Sequence, residues 1–198
     1  NLVTSSRADT DLFSFQDTKK TIENVMPDLV INAAAKVGGI HANNTKRADF
    51  IIENLKINMN ILEACIPFKS IEIINLGSSC IYPLDAKNPI SEDSLMSGKL
   101  EPTNSPYAMA KIAAIEMGNA LKVQYGHEII NLMPTNLYGP GDNYDTFGSH
   151  FFAANIKKLL LDKSDFKATI PMEGKTNSLN VSAAVSAVTF ERLRQISS

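Results

Sequence analysis

Three apolar runs of strand length, set between long helical patterns, constrain this chain more than any other feature. They are "LVINAAA" (29–35), "IEIINLGSSCIYP" (71–83) and "HEIINLMPTNLYGPGD" (127–142). Each carries a continuous apolar block and then runs into a loop. A strand without polar alternation is one buried on both faces, as in a parallel sheet. Between the runs lie "FIIENLKINMNILEACIPF" (50–68) and "YAMAKIAAIEMGNALKVQYG" (107–126), apolar at helical spacing, the second ending at a glycine. Ahead of them, "NLVTSS" (1–6) reads as a short strand and "DTKKTIENVMPD" (17–28) as a helix stopped before Pro27. This alternation predicts an α/β fold: a parallel sheet with right-handed crossovers and helices on both faces. "VGGIHANNTKRAD" (37–49) and "LDAKNPISEDSLMSGKLEPTN" (84–104) read as loops. The second is long enough to be functional or disordered.

Ligands of such sheets bind beyond the carboxyl ends of the strands. The loops "KVGGIHANN", "GSSCIYP" and "PTNLYGPGD" all fall there. "SPYAMAK" (105–111) opens on a helix start signal, in which Ser105 can cap and Pro106 fits the first turn, and then places a phenol and an ammonium at a spacing of four. Tyr107 and Lys111 therefore share one helix face. A free phenol ionises near about 10, and a nearby cation favours its anion. The same spacing also suits an ordinary amphipathic helix. Ser78 completes a Ser-Tyr-Lys set that can move a proton to or from a sugar or alcohol oxygen while a nicotinamide moves hydride. Alternatively, Ser78 caps the next turn. Cys80 and His150 form a second pair, with ordinary pKa values of about 8.5 and 6.5 that bracket neutrality. A thiol and an imidazole on opposite sides of a substrate can exchange protons at carbons beside a carbonyl. Taken singly, Cys80 reads as a small buried hydrophobe and His150 as a surface residue. His41 and His127 read as structural.

The bulk numbers restrict the partners. With 198 residues, 44% hydrophobic and 20% charged, the chain reads as a globular domain of ordinary size. A net charge of −2 gives no footprint for nucleic acid or a membrane surface. The apolar runs are far short of a membrane span. The first residues have no basic start followed by an apolar stretch, so no signal peptide is expected. They also lack an initiator Met, and the chain is expected to begin partway through something. Two cysteines, Cys65 and Cys80, make neither a disulfide framework nor a metal site, and a reducing cytoplasm is the default.

Four segments, "AAAKVGGIHANN", "LGSSCIYP", "LEPTNSPYAMAKIA" and "MPTNLYGPGDNY…SH", occur in order from about residue 1 to 160. Together they resemble the GDP-L-fucose synthase family of extended short-chain dehydrogenase/reductases. The resemblance implies an NADPH-dependent 3,5-epimerase/4-reductase acting on GDP-4-keto-6-deoxy-D-mannose. It makes Tyr107 the general acid of ketone reduction, Lys111 its cofactor-holding partner, and Ser78 the residue that orients the keto oxygen. Cys80 and His150 become the epimerisation base and acid. Leu76, Gly77, Ser78 and Ser79, with Pro134, Thr135, Asn136 and Leu137, would line the NADP(H) site. Arg7 would meet the 2′-phosphate, and Lys158 the sugar nucleotide. The implied partners are a nucleotide sugar and a second copy of the chain in a homodimer, through helices that include the one bearing Tyr107.

Two departures from that family set further expectations. Its opening strand, G-x-x-G-x-x-G turn and helix are not found among the ten glycines, so the Rossmann-like sheet is expected to lack its first βα unit. A lost first strand would expose edges that should be central, which predicts an unstable or oligomeric species. The family's smaller substrate domain is also not found. In its place, "IPMEGKTNSLNVSAAVSAVTFERLRQ" (170–195) resembles the C-terminal motif of SpoU/TrmH-type RNA 2′-O-ribose methyltransferases. That likeness rests on Ile170, Pro171, Met172, Gly174, Ser178 to Ser182, Ala184, Glu191, Arg194 and Gln195. The expected organisation is a partial NADP-binding domain over 1–160 and a methyltransferase-like helical tail over 161–198. Three functional readings stay open: an intact synthase, a non-catalytic fragment or fusion, and a methyltransferase remnant. The acidic balance argues against RNA binding by this chain.

Overall fold

The computed structural model describes residues 1–135 and 137. The first helix, α1 (Phe15–Val25), starts where Ser14 can cap it: the Ser14 hydroxyl accepts from the Asp17 N–H at 3.3 Å. It stops at Met26, which takes the left-handed conformation (φ 44°) just before Pro27. Strand β1 (Leu29–Asn32) follows, then a short helix α2 (Ile40–Thr45) and the long helix α3 (Arg47–Cys65). Strand β2 (Glu72–Leu76) leads into a single tight turn over Ser79–Ile81. Helix α4 (Ser105–Tyr125) ends at Gly126 (φ 78°), a position that favours glycine, and strand β3 (Ile129–Leu132) comes next.

The described strands form one parallel sheet in the order β1-β2-β3. Asn32 stands opposite Asn75, and Asn75 opposite Asn131. Helices α3 and α4 pack on each other and on one sheet face, the one that carries Asn32, Ile73, Asn75 and Ile129. Leu62, Cys65, Ile71, Ile73 and Ile129 form the core there, with Ile22 of α1. Each buried Leu or Ile side chain there contributes about 1.5–3 kcal/mol of hydrophobic stabilisation. A satellite cluster of Ile81, Ile112 and Ile115 sits under the long loop, covered by Tyr82, Leu95, Leu100 and Met133.

Several sequence expectations are corrected. The segment 1–6 forms no strand; Leu2 and Val3 are exposed, and no described strand offers them a ladder. The apolar run at 29–35 is strand only over Leu29–Asn32. It is not buried on both faces either, since Leu29 and Ile31 are exposed on the face opposite α3. Ile130 and Leu132 are exposed on that same face. Helices on both faces were expected, yet among the described residues only one face is covered. The glycine-rich stretch after β1 is not all loop, because Asn43 stabilises α2 by donating to the Gly38 and Gly39 carbonyls at 2.7 and 3.2 Å. The residue before α4 is Asn104, so Ser105 is the first helical residue and not the cap.

Candidate functional site

The turn after β2 and the first turns of α4 meet beyond the carboxyl end of the sheet. Lys111, near the start of α4, reaches back to β2 and donates from Nζ to the Leu76 carbonyl at 2.7 Å. Its side chain is buried, at 3% exposure, so the ammonium is held in place and not merely tethered. Nζ also lies 5.8 Å from the centre of the Tyr107 ring, within cation–π range. Gly77 follows Leu76 and donates its N–H to the Leu132 carbonyl at 2.7 Å, joining the ends of β2 and β3.

Ser78 then caps the turn. Its hydroxyl accepts from the Cys80 backbone N–H at 3.5 Å and from the Cys80 thiol at 3.2 Å. The capping reading of Ser78 therefore holds, and it places the hydroxyl among the other candidates. Tyr107 is half-buried, its ring edge-on to Phe50 of α3 at 6.2 Å between centroids and 80° between planes.

Burial dominates the proton affinities. It pushes the Tyr107 phenol up to about 12; proximity to Cys80 adds to the rise, and a Ser78 hydrogen bond opposes it. Burial likewise pushes the Cys80 thiol up, against lowering by Ser78, by its own backbone and by the Lys111 cation. Lys111 is lowered by burial and partly restored by Cys80. The expectation that Lys111 would acidify the phenol is not met here. The ammonium is engaged with the Leu76 carbonyl, and its electrostatic effect falls on Cys80 instead.

The structure thus brings together Leu76, Gly77, Ser78, Cys80, Tyr107 and Lys111. Ser79 lies within the capped turn, half-buried. Pro134 and Thr135 follow the end of β3, and Leu137 is exposed. Arg7 sits exposed in a turn closed by Ser6 and Asp9, not at a strand end: Ser6 donates from its N–H and hydroxyl to the Asp9 carboxylate at 2.8 and 2.6 Å. Asn136, His150, Lys158 and the tail segment 161–198 lie outside the described residues.

Sequence reasoning missed Phe50 and Asn54. Asn54 is buried and exchanges two hydrogen bonds with the Lys36 backbone, at 2.9 and 3.0 Å, which fixes the loop after β1. A readable signal existed: an amide on the apolar face of a long helix, one turn after a phenylalanine.

Three comparisons place this geometry among known proteins. The NAD dependent epimerase/dehydratase family matches residues 2–179. The chain is 45% identical over 180 residues to a probable GDP-L-fucose synthase of Oryza sativa subsp. japonica, covering 90% of this chain and 55% of the relative. It is 50% identical over 131 residues to GDP-L-fucose synthase of Escherichia coli (strain K12), covering 66% and 41%. Among solved structures, a GDP-D-glycero-L-gluco-heptose synthase of Campylobacter jejuni, crystallised in the presence of NADPH, aligns at TM-score 0.77. It is 36% identical, over 82% of this chain and 48% of that one. The chain spans about half the length of the curated relatives it matches.

Proposed function

The chain belongs to the NAD dependent epimerase/dehydratase family, and from that premise we propose a GDP-L-fucose synthase-like activity: NADPH-dependent 3,5-epimerisation and 4-reduction of GDP-4-keto-6-deoxy-D-mannose. One observation carries the reading. Ser78, Cys80, Tyr107 and Lys111 converge beyond the end of β2, and relatives near half identity are GDP-L-fucose synthases.

The donor chemistry fits a dinucleotide in part. An ammonium has three N–H donors, and the Leu76 carbonyl takes one from Lys111, leaving two for a ribose diol. Leu76 to Ser79, with Pro134 to Leu137, would line the cofactor, and Arg7 is the cation proposed for a 2′-phosphate. A bound nicotinamide supplies the hydride. Tyr107 supplies the proton: a phenol held above its ordinary pKa is protonated at neutral pH, which suits a general acid more than a base. Ser78 orients the accepting oxygen. Cys80 is proposed as the epimerisation base and His150 as the matching acid; burial raises the Cys80 thiol, and Ser78 and Lys111 offset that rise only in part. Lys158 is proposed to contact the sugar nucleotide. A homodimer and a cytoplasmic location accompany this reading. Among the described residues no helix is long and apolar enough to cross a membrane.

A second reading is a domain that keeps the proton-transfer residues without cofactor affinity. The boundary near 160 and the methyltransferase-like tail stay proposals resting on the residues of 170–195 alone. NADPH titration of the 198-residue chain, followed by fluorescence, decides between the readings. The synthase-like reading expects micromolar binding that Lys111→Ala weakens at least tenfold. Absence of binding would overturn it in favour of the second.

A further inference from the structure

A line of amides crosses the core beneath the candidate site. Asn58 of α3 accepts from the Asn32 amide at 2.9 Å. The same Asn32 amide donates to Asn75 at 3.1 Å, and the Asn75 amide donates to Asn131 at 3.2 Å. Asn32 and Asn75 are nearly fully buried, at 4% and 2% exposure, so their partners are one another and not water. Space for the last member comes from Gly118 of α4: a Cβ there would lie 3.2 Å from Ile129 Cγ2 and 3.5 Å from the Asn131 amide nitrogen. Each strand contributes one asparagine, and all three stand at one register level.

An apolar pattern cannot hold that level alone. Slipping a strand by one residue turns its buried face outward and is forbidden by burial. Slipping by two residues keeps Ile and Val inside and is not. It would, however, leave buried amides opposite aliphatic side chains, each without its partner. A single buried asparagine fixes register in other folds by the same logic.

We propose that Asn32, Asn75 and Asn131 are a register lock, and that through it they position the candidate site. Asn75 directly precedes Leu76, whose carbonyl holds Lys111, and Gly77, which joins β2 to β3. A two-residue slip would carry these groups about 6.6 Å along the sheet. The link to catalysis rests on the proposed function; the lock itself does not.

Cross-linking across the uncovered face reads register without any activity. Ile31 and Ile74 are register partners there. Their Cα atoms, about 4.8 Å apart in a parallel pair, lie within disulfide range. Ile31 and either Glu72 or Leu76 would be about 8 Å apart, outside it. Chains carrying Ile31→Cys with Ile74→Cys, Glu72→Cys or Leu76→Cys are oxidised and the bridges located by peptide mass.

With the amides intact, only the 31–74 bridge is expected. In Asn32→Leu/Asn75→Leu/Asn131→Leu, the 31–72 or 31–76 bridge should rise at least fivefold. A triple variant that folds and still forms only the 31–74 bridge overturns the proposal, since asparagines that merely stabilise would alter melting and not bridge identity. If the triple variant does not fold, Asn32→Leu/Asn75→Leu carries the same test with β3 and α4 untouched. Failure of NADPH binding in the unaltered chain would leave this result standing.

Discussion

Burial raises the Tyr107 phenol above its ordinary range, and that shift leaves a signature in alkali. An unfolded tyrosine ionises near about 10, while the folded phenol is pushed up to about 12. Below the first value both states hold the proton, and stability does not depend on this group. Between the two, the unfolded chain loses a proton that the folded chain keeps, so stability falls as pH rises. Urea midpoints taken from pH 9 to 12 should therefore fall more steeply in the unaltered chain than in Tyr107→Phe; parallel curves would contradict the burial argument. Gly77 makes a different demand. Its backbone angle is not of the left-handed kind, so space and not conformation requires glycine. An added Cβ would collide with Met133 Sδ and lie 3.1 Å from the Leu132 carbonyl oxygen. Gly77→Ala should cost about 1–3 kcal/mol by overpacking, read from denaturant melts. Met133→Ala in the same chain should restore part of it, because the carbonyl contact remains.

The element that carries Tyr107 and Lys111 is held at its start by a residue of another helix. The Arg47 guanidinium, at the first position of α3, donates to the Pro102 and Thr103 carbonyls at 2.7 and 3.3 Å and to the Ser105 hydroxyl at 3.1 Å. The Glu101 carboxylate gathers the Thr103 and Asn104 N–H groups from the other side. Arg47 is exposed, so Arg47→Ala should change global stability by less than about 1 kcal/mol. It should nonetheless speed amide exchange over residues 101–105, which hydrogen-exchange mass spectrometry resolves; unchanged exchange there would show that Glu101 alone orders the loop. This contact was not legible in the sequence, because it joins positions more than fifty apart. What was legible follows local rules. The α4 start at a first-turn proline, its glycine stop, the strand cores and the Tyr107/Lys111 face all come from periodicity and local backbone preference, although the capping residue is Asn104 and not Ser105. Depth of burial was misread for the 29–35 run: a continuous apolar stretch looks the same whether one sheet face or both are covered. The direction of the Lys111 ammonium was misread for a related reason. Spacing puts it beside Tyr107, but only the fold brings the Leu76 carbonyl within reach.

At the scale of the whole molecule, the sheet face left uncovered among the described residues sets the behaviour to expect in solution. Leu29, Ile31, Ile130 and Leu132 are 40%, 56%, 55% and 45% exposed, and alternation along β1 and β3 puts all four on one side of one sheet. Scattered exposed aliphatics are ordinary on soluble proteins, whereas aligned ones form a patch that favours association. Within the described sheet β1 also has a neighbour on one edge only, leaving backbone donors and acceptors available to another chain. The 198-residue chain should therefore associate as its concentration rises, with the apparent mass by light scattering increasing over the micromolar range. Ile31→Thr/Ile130→Thr keeps β-branched side chains at both positions while removing apolar area from the patch centre, so the strands should survive. It should shift the onset of association to several-fold higher concentration with little change in melting temperature. If the variant associates as readily as the unaltered chain, the free edge of β1 is the driving feature, and a charged residue on that edge becomes the change that suppresses it. If the unaltered chain is a monomer at every concentration, the patch is too small to drive association, and the instability expected from an incomplete sheet has no support in solution.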